Sequence, residues 1–118
     1  MAEAHGAQAE LDYRKGYPAS INDAGLVKQT LGTLEKVLGS KNVVEVQPSM
    51  GGEDFAYFAQ KIPGFYLSLG VTRPGTEKPA GLHTPEFEVD ENALLTGLRV
   101  MTALAWDSIT QAPSAARK

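Results

Sequence analysis

The chain has 118 residues, 42% apolar and 21% charged, with a formal net charge of −3 at pH 7, a balance that belongs to a soluble globular domain and excludes disorder along the whole length. That acidic balance argues against a nucleic-acid binder, which needs a basic face to neutralise phosphates. Cysteine is absent, so disulfides, thiolate metal sites and a cysteine nucleophile are excluded. No window approaches the ~20 apolar residues of a membrane span. Met1–Glu10 lacks the basic and apolar regions of a signal peptide, and a cytoplasmic location is the expectation.

Met1–His5 is Ala-rich and ends at Gly6, the pattern of a last helical turn closed by a glycine cap. Ala7, Ala9, Leu11 and Tyr13 alternate with Gln8, Glu10 and Asp12, which predicts a half-buried strand. Arg14–Pro18 breaks that pattern and reads as a connector. Val27, Leu31, Leu34 and Leu38 recur on one helical stripe. A capping residue at Asn22 or Asp23 and a stop at Gly39 then predict an amphipathic helix over Asp23–Leu38. Val43–Val46 reads as a short strand, Gln47–Gly52 as a loop, and Glu53–Lys61 as a helix with Phe55, Phe58 and Ile62 on its inner side. Phe65–Leu69 is apolar enough for a buried strand, and Gly70–Gly81 is a surface loop rich in Pro and Gly. Leu82–Val89 is extended or irregular. Asp90 caps a final helix over Glu91–Gln111, with Leu94, Leu98, Met101, Ala105 and Ile109 as its core stripe, widened by Ala93, Gly97 and Leu104. Strands alternating with helices predict an α/β layer.

Three segments carry residues suited to chemistry. Ser49–Phe55 places Gly51 and Gly52 between a strand and a helix start, with Glu53 and Asp54 following. Such a loop can bring backbone N–H groups close to an anionic ligand, although the local pattern alone favours an ordinary strand-to-helix turn. Leu82–Phe87 contains His83, one of two histidines. An imidazole binds zinc well at neutral pH, but zinc takes three or four protein ligands, and Glu86 and Glu88 do not stand at a known metal-binding spacing. On pattern alone a lone histidine is more often structural. Asp12–Pro18 offers Arg14 to a carboxylate; packing of Tyr13 and Tyr17 at a polar strand end is the stronger reading. Two histidines do not support a Ser-His-Asp arrangement, and phosphate-binding glycine motifs are absent.

Taken in order, Ala9–Pro18 (AELDYRKGYP), Asn22-Asp23, Pro48–Phe58 (PSMGGEDFAYF), Leu82–Phe87 (LHTPEF) and Asp90-Glu91 resemble the C-terminal part of the zinc amidohydrolase and metallo-carboxypeptidase family. Hippurate hydrolases, N-acyl-amino-acid amidohydrolases and plant auxin-conjugate hydrolases are of this type. The resemblance implies an α/β fold: a partial catalytic domain of a two-domain enzyme, with one N-terminal strand left over from the lid. Residues 1–16 would be the lid or dimerisation remnant, 17–112 the C-terminal portion of the catalytic domain, and 113–118 a disordered tail. It implies amide-bond hydrolysis of N-acyl amino acids or peptides at a centre of zinc or another divalent metal. His83 matches the last metal-binding histidine, and Gly51, Gly52, Glu53 and Asp54 match a loop lining the active site. The remaining ligands and the general-base glutamate precede the counterpart of Met1. The chain alone is therefore expected to be inactive, to bind no metal tightly and to lack an N-terminal half. The alternative is a non-catalytic oligomerising module derived from the family. Unpaired strand edges predict a homo-oligomer, a dimer first of all, and neither nucleic acid nor a membrane is an expected partner.

Overall fold

Asp23 decides where the first long helix begins. Its backbone is extended (φ −65°, ψ 124°), and its Oδ1 accepts the Leu26 N–H at 2.9 Å, satisfying one donor of the first turn. Helix α1 then runs Ala24–Leu38 and stops at Gly39 (φ 81°), whose N–H donates to the Glu35 carbonyl. The computed structural model describes residues 2–110; the expected disordered tail, 113–118, the C-terminal limit of the 17–112 unit and the Gln111 helix end lie outside them. A 3₁₀ turn, Ser40–Asn42, follows α1. Helix α2 is only Phe55–Ala59, and α3 runs Asn92–Thr110. Asp90 Oδ1 accepts the Asn92 N–H at 3.1 Å at the start of α3. The N-terminal turn is a 3₁₀ turn, Glu3–His5, followed by Gly6 at φ 69°.

The α1–α3 pair is the main packing of the chain. Leu34 and Thr33 of α1 and Ala93 and Val100 of α3 are buried. Thr33 Oγ1 donates to Asp107 Oδ2 across the pair. Gly97 lets the extended segment 65–69 come close: a Cβ there would lie 3.1 Å from Leu69 Cδ2. No described helix is long and apolar enough to cross a membrane.

Three expectations are corrected. Among the described residues there is no β-strand. Segments 7–13, 43–46 and 65–69 are without regular structure, and Leu11, Tyr13, Val44 and Val46 are exposed. The expected α/β layer and lid strand are therefore not found there. A strand exists only through its ladder, and these segments have no neighbour to supply one. The α3 stripe is also different: Leu94, Leu98, Met101 and Ile109 are 62–67% exposed, and the packed face carries the widening residues Ala93, Gly97 and Leu104 together with Val100. Gly97 of this face admits Leu69 rather than a residue of α1. Phe58 and Ile62 are likewise outside; the buried residue of α2 is Ala56.

The result is an open molecule. Its surface is 10696 Å², whereas a compact monomer of this mass exposes roughly 6,200 Å². Its radius of gyration is 20.2 Å, against about 13.5 Å for a compact domain of this length. Thermal unfolding will rank the interactions: Asp23→Ala will cost about 1 kcal/mol through the lost cap, and Leu34→Ala about 2–3 kcal/mol through the cavity between α1 and α3.

Candidate functional site

The loop that precedes α2 is fixed from three directions. Asn22, just ahead of α1, pairs with the backbone of Tyr66: its Nδ2 donates to the Tyr66 carbonyl at 2.8 Å, and the Tyr66 N–H donates to its Oδ1 at 2.7 Å. The next N–H, of Asp23, donates to the Gly64 carbonyl at 2.9 Å. This reciprocal arrangement substitutes for one rung of a ladder and pins segment 64–66 beside the start of α1. Tyr66 then reaches the loop. Its hydroxyl donates to Glu53 Oε2 at 2.8 Å, while the Phe55 N–H donates to Glu53 Oε1 at 3.2 Å. The Phe55 and Tyr66 rings stand 5.3 Å apart.

The third anchor is aromatic. Tyr17 packs against the backbone at Gly52, where a Cβ would sit 2.7 Å from its ring. That ring also meets Tyr57 of α2 edge-on, with centroids 5.8 Å apart. Gly52 is thus required by the close approach of Tyr17 rather than by its backbone angles.

Electrostatics follow from these contacts. The Tyr66 hydroxyl, then the Phe55 N–H, hold the Glu53 carboxyl below its ordinary 4.5, with desolvation opposing. The same hydrogen bond, then the negative charge of Glu53, push Tyr66 above its ordinary 10.0. Asp54 stands at the start of α2 without a side-chain capping bond, and it and Gly51 are exposed. At five residues α2 is too short for the helix-terminus field expected of Glu53–Lys61.

His83 lies in the other candidate segment. It is exposed and adopts a left-handed backbone (φ 67°), the sole positive φ among the described non-glycine residues. Thr84 Oγ1 donates to the Gly81 carbonyl at 2.8 Å and closes the turn around it. The base of this long loop is tied by the Asp90 N–H to the Val71 carbonyl at 2.8 Å, and Arg73 approaches Glu88 at 3.9 Å. Arg14 is engaged locally, donating to Asp12 at 2.7 Å on an exposed stretch. Among the described residues no three His, Asp or Glu side chains converge on a point that could hold a metal ion. His83 with its neighbouring carboxylates therefore does not by itself fit a zinc centre, which takes at least three protein ligands.

Sequence reasoning placed Glu53 and His83 in separate candidate segments but missed Tyr66 and the pairing role of Asn22. Tyr66 was absorbed into an apolar run. Its signal is a hydroxyl inside that run, visible only as a side chain needing a partner.

Comparison with known proteins places these features in context. Residues 6–107 match the profile of Peptidase family M20/M25/M40. The chain is 35% identical over 101 residues to the Bacillus subtilis protein YhaA, named as an amidohydrolase, covering 86% of this chain and 26% of that one. It is 35% identical over 89 residues to the IAA-amino acid hydrolase ILR1-like 4 of Arabidopsis thaliana, covering 75% of this chain and 20% of that one. To the N-acetyldiaminopimelate deacetylase of Brevibacillus brevis it is 32% identical over 95 residues, covering 80% of this chain and 24% of that one. The chain spans about a quarter of the length of these relatives. No solved structure matches it.

The Glu53–Tyr66 pair makes stability depend on pH at both ends. The depressed Glu53 value contributes stability above 4.5 that is lost as pH falls through its folded value, below 4.5. The raised Tyr66 value contributes stability below 10.0 that is lost as pH rises through its folded value. Thermal melts across pH will show both limbs, and Tyr66→Phe will reduce both.

Proposed function

Because the chain belongs to Peptidase family M20/M25/M40, we propose that it is the C-terminal part of a metal-dependent amidohydrolase that cleaves the amide bond of N-acyl amino acids or peptides. The observation that carries this reading is the family match over 6–107. The names of two relatives, an IAA-amino acid hydrolase and an N-acetyldiaminopimelate deacetylase, support an amide substrate. In this reading His83 is one ligand of a zinc or other divalent-metal centre, and Gly51, Gly52, Glu53 and Asp54 line the substrate side. The other ligands and the general base come from polypeptide outside this chain.

A second reading, a non-catalytic oligomerising module of the same descent, is favoured by the uncovered face of α3. Leu94, Leu98, Met101 and Ile109 form a neutral apolar row, with Trp106 beside it. In both readings two copies pair through this row in solution.

Calorimetric titration with zinc will give no saturable binding to the wild-type chain, and an N-acyl amino acid will not be hydrolysed. Stoichiometric binding with turnover, both lost in His83→Ala, would overturn the inactivity. Light scattering after size-exclusion chromatography will give the mass of a dimer, which Leu98→Glu will halve. A monomeric wild-type chain would exclude self-association.

A further inference from the structure

Both oxygens of Glu53 are already engaged. Oε2 accepts the Tyr66 hydroxyl and Oε1 the Phe55 N–H. Two bonds, one to each oxygen, fix the orientation of the carboxylate. The group that holds it is itself held: Tyr66 is fixed at its backbone by the reciprocal Asn22 pair and at its ring by Phe55. Gly51 and Asp54 are the exposed ends of the loop, and Asp54 makes no side-chain capping bond to α2.

We infer that Tyr66 is the positioning residue of the Gly51–Asp54 loop, buckling Glu53 to segment 64–66 and so fixing the Gly51–Gly52 backbone toward a ligand. The inference rests on the reading of this loop as the substrate side. The buckle itself is a property of the chain without metal or substrate. The carboxyl values fit it: the charged groups at the pair are Glu53 and the adjacent Asp54, and the largest influence on Glu53 is the Tyr66 hydroxyl rather than that neighbour.

The test uses the whole chain and nuclear magnetic resonance. In Tyr66→Phe the ring remains and only the hydroxyl is lost. The Glu53 carboxyl carbon will then titrate at a higher pH, toward 4.5. The backbone order parameters of Gly51 and Gly52 will fall from about 0.85 toward or below 0.6. Circular dichroism will show the helices retained. Glu53→Gln provides a second arm that leaves Tyr66 in place: removal of the charge will bring the Tyr66 hydroxyl back toward 10.0. Unchanged Glu53 titration in Tyr66→Phe, or unchanged order parameters at Gly51 and Gly52 in both variants, would overturn the buckle. Because no metal or substrate enters the experiment, its outcome is separate from the hydrolysis and zinc assays: the buckle can fail while the amidohydrolase reading stands, and the reverse.

Discussion

The packing of α1 against α3 is the constraint on which the rest of the molecule depends. Its buried residues are Ala93 and Val100 on one helix and Thr33 and Leu34 on the other. Close approach leaves no room for polar groups without partners, and the Thr33–Asp107 hydrogen bond meets that requirement at the seam. From this pair the other parts are hung. Asn22 and Asp23, at the head of α1, hold segment 64–66. That segment holds Glu53 through Tyr66, and Leu69 closes over Gly97. The loop is thus ordered by a short relay of contacts that begins at one helix cap.

Both ends of α1 and the start of α3 are legible in the sequence to within a residue, because their determinants are local. Asp23, Gly39 and Asp90 act within one turn of themselves. The faces of α3 were harder. A helix that carries apolar residues nearly all round offers more than one plausible stripe, and the bulky row Leu94-Leu98-Met101 attracts attention while Ala93-Gly97-Val100 does the packing. Periodicity counts apolar positions and does not weigh how closely two backbones must approach. The strands failed for a different reason. Alternation over Ala7–Tyr13 and the apolar run at Phe65–Leu69 describe a capacity to pair, and a ladder needs a neighbour that no local pattern contains.

The candidate site divided along the same line. The GGEDF and HTPEF segments carried a family resemblance as linear motifs, and the family match agrees with it. The Tyr66–Glu53 and Asn22–Tyr66 contacts join residues 13 and 44 positions apart, so they are properties of the folded chain. What fixes the loop is therefore found outside the motif that names it.

The left-handed backbone at His83 has an energetic cost of its own. A non-glycine residue in this region is strained by roughly 1 kcal/mol or more, and a glycine would occupy φ 67° freely. Glycine would relieve that strain at this turn, and a β-branched residue would increase it. The turn around His83, closed by the Thr84 hydroxyl on the Gly81 carbonyl, holds the imidazole in this conformation at the chain surface.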